Sequence, residues 1–198
     1  LYDRGEAEDR MKKLVTCAEM KDLDSTTIRE IGVPSEVLME RAALKVVEET
    51  EKYLQKDERI LVVCGSGNNG GDGIAVARLF HLKGIRAEFY MVGNKDKMTR
   101  ETALQYKIAS GYRVPEVNNP QWSEYTTIVD AVFGVGLTRP IEGHYADIIH
   151  EMNSARAKKI AVDIPSGVNG DTGLEMGIAF SADLTVTFAY RKRGLCFY

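Results

Sequence analysis

The chain has 198 residues, 44% hydrophobic and 28% charged, with 26 basic against 29 acidic side chains for a net charge of −3. That length and balance fit one domain, or one domain with an arm, and exclude disordered, collagen-like and coiled-coil classes. The strong basic excess of a generic phosphate-backbone binder is missing. No apolar run approaches the ~18 residues that a bilayer span needs. Residues 1–13 are polar and unpatterned, so they are expected to form an N-terminal arm, with no signal-peptide core. Cys17, Cys64 and Cys196 are widely spaced and odd in number, which suits neither a zinc pattern nor a disulfide framework. The expectation is a reduced, cytoplasmic protein with no nucleic-acid and no membrane partner.

In chain order, Thr16-Cys17-Ala18-Glu19 has the spacing of a capping box. Met20, Leu23, Thr27 and Ile31 follow at helical spacing, and Gly32 stands where a left-handed C-terminal cap belongs. Ser35, after Pro34, is expected to cap a second helix whose Val37, Leu44, Val47 and Leu54 share one face. Two helices therefore precede the first strand. That strand, Ile60-Leu61-Val62-Val63-Cys64, is a continuous apolar run, as expected for a strand buried on both faces of a parallel sheet. The glycine-rich segment 65–73 leads into a helix expected over 74–83, stopped by Gly84. A strand at 86–92, a helix at 99–110 and a short strand near Val114 come next. Then follow a strand at 127–130, a helix at 145–154, a strand at 159–163 and another at 184–188. This alternation predicts a doubly wound α/β sheet with helices on both faces.

In such sheets ligands gather beyond the carboxyl ends of the strands. Three ends here carry polar chemistry: segment 65–73, the run from Asp130 to Leu137, and Asp163-Ile164-Pro165-Ser166-Gly167. Their clustering predicts one shared pocket. Gly65, Gly67 and Gly70 match G-x-G-x-x-G between a strand and a helix, a weak signal by itself. Two features oppose an ordinary nicotinamide dehydrogenase. Asp72 stands near the helix start, where it repels a pyrophosphate, and Glu88 falls mid-strand where a ribose-binding acid would close the second strand. The oxygens of Asn68 and Asn69 suit a hard cation, and their amides suit sugar or phosphate oxygens. The plainer reading is a tight turn with Asp72 as a cap. Asp130 and Asp163 each end an apolar strand, where a carboxylate needs solvent, hydrogen bonds or a cation. Each alone is as well explained by capping of nearby amides; two on one pocket favour function. A nucleophilic Ser166 needs a histidine base, but His81, His144 and His150 fall in helices or at their starts and lack metal-ligand spacing. Arg191-Lys192-Arg193 is a solvated charge run, or a strand-end group that reaches a phosphate.

Three ordered segments resemble the YjeF N-terminal domain family. They are Asn68-Asn69-Gly70-Gly71-Asp72-Gly73, then Asp130-Ala131-Val132-Phe133-Gly134-Val135-Gly136-Leu137, then Val162-Asp163-Ile164-Pro165-Ser166-Gly167-Val168-Asn169-Gly170-Asp171-Thr172-Gly173. Cys17-Ala18-Glu19-Met20, Val37-Leu38-Met39-Glu40, and Thr187-Phe188 with Lys192 and Gly194 add to it, so that the likeness covers residues 14–198. The resemblance implies a Rossmann-like three-layer α/β/α sandwich with a mostly parallel central sheet. The enzyme members of the family are NAD(P)H-hydrate epimerases, isomerases that interconvert the R and S forms of NADHX and NADPHX for nicotinamide-nucleotide repair. It implies a potassium ion, one per subunit, at Asn69, Asp130 and Ser166. Substrate contacts are implied at Asn68, Asn69, Gly70, Gly71 and Asp72, at Gly134, Val135, Gly136, Leu137, Thr138, Arg139 and Pro140, and at Asp163.

The chemistry expected of this site is proton transfer by a carboxylate. The substrate hydroxyl sits beside the ring nitrogen, whose lone pair helps expel it once protonated, and water re-enters the iminium from either face. Asp163 is the candidate proton carrier. A homodimer and functional coupling to an ADP- or ATP-dependent NAD(P)HX dehydratase, on the same or a separate chain, are also implied. Two departures stand out: Met39-Glu40-Arg41-Ala42-Ala43 where the family commonly reads Met-Glu-Asn-Ala-Gly, and Val135 where Thr is frequent. The alternative reading is a non-catalytic nucleotide-binding or scaffold module of the same fold.

Overall fold

The computed structural model describes residues 13–198, so the expected arm lies, apart from Lys13, outside the described residues. The elements run β1 Leu14–Val15, α1 Cys17–Arg29, α2 Ser35–Glu51, β2 Arg59–Cys64, α3 Asn68–Leu82 and β3 Arg86–Met91. They continue with α4 Arg100–Gly111, β4 Thr127–Ala131, α5 His144–Ser154, β5 Lys158–Val162, β6 Leu184–Val186 and β7 Arg191–Lys192. β2 to β6 form a five-stranded, all-parallel sheet in the order β3-β2-β4-β5-β6. β1 and β7 pair in a separate two-stranded ribbon. No described helix is long and apolar enough to cross a membrane.

Strand periodicity sorts the β2 run into two cores. Ile60, Val62 and Cys64 face α2, α3 and α4, with Phe80, Val46, Val47 and Ala109 among the buried partners. Leu61 and Val63 face the other side, against Ile148, Ile149 and Met152 of α5. The five residues from Ile60 to Cys64 are fully buried, which is why the sequence shows no polar alternation there. The result is three layers, with the register Val63↔Asp130↔Ala161 bringing the ends of the three central strands level.

Several local expectations need correction. The capping box forms: the Glu19 amide donates to Thr16 Oγ1 at 3.1 Å and the Thr16 amide to Glu19 Oε2 at 2.7 Å. Ser35, however, does not cap α2. Pro34 occupies that position, and the Ser35 hydroxyl donates instead to Glu101 of α4 at 2.9 Å. The buried stripe of α2 is Met39, Ala43, Val46, Val47 and Thr50, rotated from the expected one, so Val37 and Leu44 are exposed. Val114 lies in no strand. The chain only brushes β3 there, through an isolated bridge between Phe89 and Glu116. β6 stops at Val186 because the next two residues turn toward the Asp163 carboxylate.

The largest correction concerns the glycine segment. α3 begins at Asn68, six residues before the expected start at 74, so Gly70, Gly71, Asp72 and Gly73 are helical. These glycines serve close approach rather than turn geometry. A Cβ on Gly70 would stand 1.8 Å from the Gly65 carbonyl oxygen, and one on Gly73 2.4 Å from Ala131 Cβ. The helix start is thereby pressed against the ends of β2 and β4.

Candidate active site

Asp130, the penultimate residue of β4, has no solvent exposure. Its Oδ1 accepts from the Ser166 hydroxyl at 2.6 Å and the Val132 amide at 3.1 Å, and its Oδ2 accepts from the Ser166 amide at 2.7 Å. The Ser166 hydroxyl oxygen in turn accepts from the Phe133 amide at 2.8 Å. Ser166 holds this position because Gly167 follows it with φ +88°, and a Cβ there would meet the Ile178 carbonyl at 1.9 Å. Burial pushes the Asp130 carboxyl up to about 6, with the Ser166 and Val132 donors opposing that rise. No side-chain cation is paired with Asp130 among the described residues.

Asn69 joins this corner through Gly134, where a Cβ would stand 3.2 Å from Asn69 Cγ. The Asn69 side-chain nitrogen is buried and has no partner among the described residues. A buried carboxylate without a counter-charge, beside a hydroxyl oxygen and a carboxamide oxygen, fits a hard monovalent cation held by oxygen. Among the described residues no group of three His, Cys, Asp or Glu side chains suits a transition metal.

Asp163, at the end of β5, has φ +67°, and its amide donates to the Val186 carbonyl at 2.8 Å. Its Oδ1 takes the Lys192 ammonium, the Thr187 hydroxyl at 3.2 Å and the Phe188 amide at 3.2 Å. Oδ2 receives no donor among the described residues. Lys192 is 1% exposed and spends its other two N–H groups on Thr187 Oγ1 and the Phe188 carbonyl, both at 3.1 Å. Lys192 therefore does not reach outward to a phosphate, whereas its neighbours Arg191 and Arg193 are exposed. This partnership was not anticipated, since in the sequence Lys192 has nothing to set it apart from the two arginines.

Asp72 lies in the first turns of α3, partly buried. Burial pushes its carboxyl well above the ordinary range, and the Asp163 and Asp24 charges add to the rise while Lys192 opposes it. The helix start itself is open: Gly67 is the N-cap and no side chain caps it. The Gly70 and Gly71 amides turn back to the Gly67 carbonyl at 2.9 and 3.3 Å, leaving the preceding amides for an anion. Thr102 of α4 braces the turn, its hydroxyl donating to the Gly67 carbonyl at 2.8 Å.

The remaining implied contacts sit at the rim. Gly136, Thr138, Arg139 and Pro140 are exposed, and Leu137 is half-buried with its amide on the Gly134 carbonyl at 3.2 Å. Val135 packs toward Ile164, Val168, Ala179 and Leu195, an apolar niche that explains an aliphatic residue at that position. His144 and His150 are exposed and His81 is half-buried. All three cysteines are free.

Comparison with known proteins agrees with this architecture. The crystal structure of yeast ynu0, YNL200c, has a TM-score of 0.83 at 23% identity, covering 93% of this chain and 84% of that one. A protein of Limosilactobacillus fermentum named NAD(P)H-hydrate epimerase is 45% identical over 93% of this chain and 89% of its own length. One of Oenococcus oeni with the same name is 48% identical over 91% of this chain and 87% of its own. The family described as YjeF-related protein N-terminus matches residues 35–194, a span that takes in all three strand-end segments, and the chain belongs to that family.

Proposed function

We propose that this chain is an isomerase that epimerises the R and S forms of NADHX and NADPHX. The observation that carries the reading is Asp163, a carboxylate with one oxygen held by three donors and the other unclaimed among the described residues, in a chain 45–49% identical to proteins named NAD(P)H-hydrate epimerase along nine-tenths of its length.

The start of α3 binds the pyrophosphate, its uncapped amides and partial positive charge meeting the anion. Asn68 and Asn69 add carboxamide donors, and the rim from Gly134 to Pro140 covers the nucleotide. Asp163 delivers a proton from Oδ2 to the substrate hydroxyl. The C–O bond breaks as the ring-nitrogen lone pair moves in, giving an iminium and one water. When water adds to either face, Asp163 takes the proton back, so atoms and charge balance and no redox partner takes part. Asn69, Asp130 and Ser166 would hold potassium, and that ion, when bound, would neutralise the buried Asp130 carboxylate.

The enzyme works as a homodimer in the cytoplasm, functionally coupled to an ADP- or ATP-dependent dehydratase that consumes one epimer. The test is to incubate pure R-NADHX with the protein in potassium buffer and in tetramethylammonium buffer, following both epimers by chromatography. Acceleration over the spontaneous rate, lost without potassium, is the expected result. Absence of acceleration from folded protein that still binds the nucleotide would leave only a non-catalytic binding module.

A further inference from the structure

Lys192 is an unusual buried cation. It stands in β7, outside the parallel sheet, and β7 is held by β1 at the other end of the described chain. The Gly194 amide, two residues on, donates to the Gly170 carbonyl at 2.7 Å. A Cβ on Gly194 would meet the Asn169 carbonyl at 2.1 Å. The backbone around Lys192 is thus locked onto the segment that follows Asp163. All three of its N–H groups are used, on Asp163 Oδ1, Thr187 Oγ1 and the Phe188 carbonyl, so none remains for a ligand. The Thr187 hydroxyl and the Phe188 amide close the same ring onto Asp163 Oδ1.

We propose that Lys192 is a positioning residue for Asp163: it saturates Oδ1, so that Oδ2 alone carries the proton to and from the substrate. This rests on the reading of Asp163 as proton carrier and adds to it the reason that one oxygen is singled out. Two consequences follow. A carboxylate held at one oxygen cannot rotate, which keeps the proton on the atom that faces the leaving hydroxyl. With Oδ1 taken by three donors, Oδ2 is also the one carboxylate oxygen left for the substrate hydroxyl. The other titratable groups around this pair are Asp72 of α3 and Asp24 and Cys17 of α1, whose fields reach Lys192 or Asp163.

The experiment measures kcat and KM against pH, in potassium buffer, for the wild type, Lys192→Met, Lys192→Arg, Thr187→Val and Asp163→Asn. Lys192→Met is expected to lower kcat about 100-fold with KM within about twofold, and to move the inflection of kcat to higher pH. Lys192→Arg keeps a cation and should return the inflection toward that of the wild type, while recovering only part of kcat, because a guanidinium cannot reproduce the three-acceptor geometry. If Lys192→Met fails to fold, Thr187→Val removes one shared hydroxyl and should show a smaller shift in the same direction. A role confined to stability would lower the melting temperature and leave the inflection in place, and that outcome in either variant overturns the proposal. Wild-type turnover by Asp163→Asn would overturn the reading of Asp163 and this inference with it. Inactive Asp163→Asn beside unaltered profiles for Lys192→Met and Thr187→Val overturns this inference alone.

Discussion

Ser166 meets Asp130 twice, its amide donating to Oδ2 at 2.7 Å and its hydroxyl to Oδ1 at 2.6 Å, and still the carboxyl is pushed up from 3.8 to about 6. Two donors from one residue do not make up for complete loss of solvent. What the site lacks is a positive charge, and the oxygens of Asp130, Ser166 and Asn69 are of the kind that coordinate a potassium ion.

The sign of the resulting pH dependence follows from linkage. Between 3.8 and about 6 the folded protein binds the Asp130 proton more tightly than the unfolded chain. The contribution to stability is therefore complete below 3.8 and is lost as pH rises through about 6, a loss of about 3 kcal/mol at most. Urea unfolding in tetramethylammonium chloride should show this decline. Potassium chloride at equal ionic strength should reverse it at pH 8 and do little at pH 4.5. Asp130→Asn should flatten the decline and abolish the potassium response. A variant that still gains stability from potassium would place the ion elsewhere.

The open start of α3 separates stability from binding. A Cβ at Gly67 would find nothing within 4 Å, so Gly67→Ser fits and supplies the missing N-cap. It should raise stability by a few tenths of a kcal/mol, while its hydroxyl engages an amide otherwise available to the substrate pyrophosphate. KM for NADHX should therefore rise several-fold with kcat little changed. Gly70→Ala is the contrast. Its Cβ would stand 1.8 Å from the Gly65 carbonyl oxygen, backbone against side chain with nothing flexible to yield. A loss of more than about 4 kcal/mol is expected, read as failure to yield folded protein at 37 °C. A well-folded Gly70→Ala would show that the helix start shifts more freely than its packing implies.

Much of this was legible in the chain itself, for identifiable reasons. The β2 run from Ile60 to Cys64 could only be a two-sided strand, because both of its faces lack polar groups. Asp130 and Asp163 stood out as carboxylates that close apolar strands. The glycine segment was harder. Four consecutive residues from Gly70 to Gly73 include three glycines, so local propensity argues against a helix, and only the close approach of Gly65 and Ala131 makes those glycines favourable inside one. The face of α2 was misjudged for a related reason. Ala43 and Thr50 are fully buried yet give a weaker apolar signal than Val37 and Leu44. Lys192 was hidden by its neighbours, since a cation between two arginines reads as solvated surface until the β1–β7 ribbon turns it inward.

The packing of α2 on α3 offers a last test, through a pair that the unusual Arg41-Ala42-Ala43 run leaves intact. Arg78 of α3 is buried, with only 7% of its side chain exposed, and is paired with Glu40 of α2, which is 38% exposed. Its Nε has no partner in the described residues, so the guanidinium already lacks one acceptor. Removing the carboxylate would leave a buried charge with no counter-ion, whereas removing both groups would leave an apolar contact between the two helices. Glu40→Ala should therefore cost about 2 kcal/mol, the exposure of Glu40 softening the loss. The double variant Glu40→Leu with Arg78→Met should lie within about 1 kcal/mol of the wild type. Urea unfolding of Glu40→Leu, Arg78→Met and the double variant gives the coupling energy directly. Additive losses would mean that Glu40 and Arg78 do not depend on each other, and that α2 is held on α3 by the contact of Met39 with Gly71 and the aliphatic residues behind it.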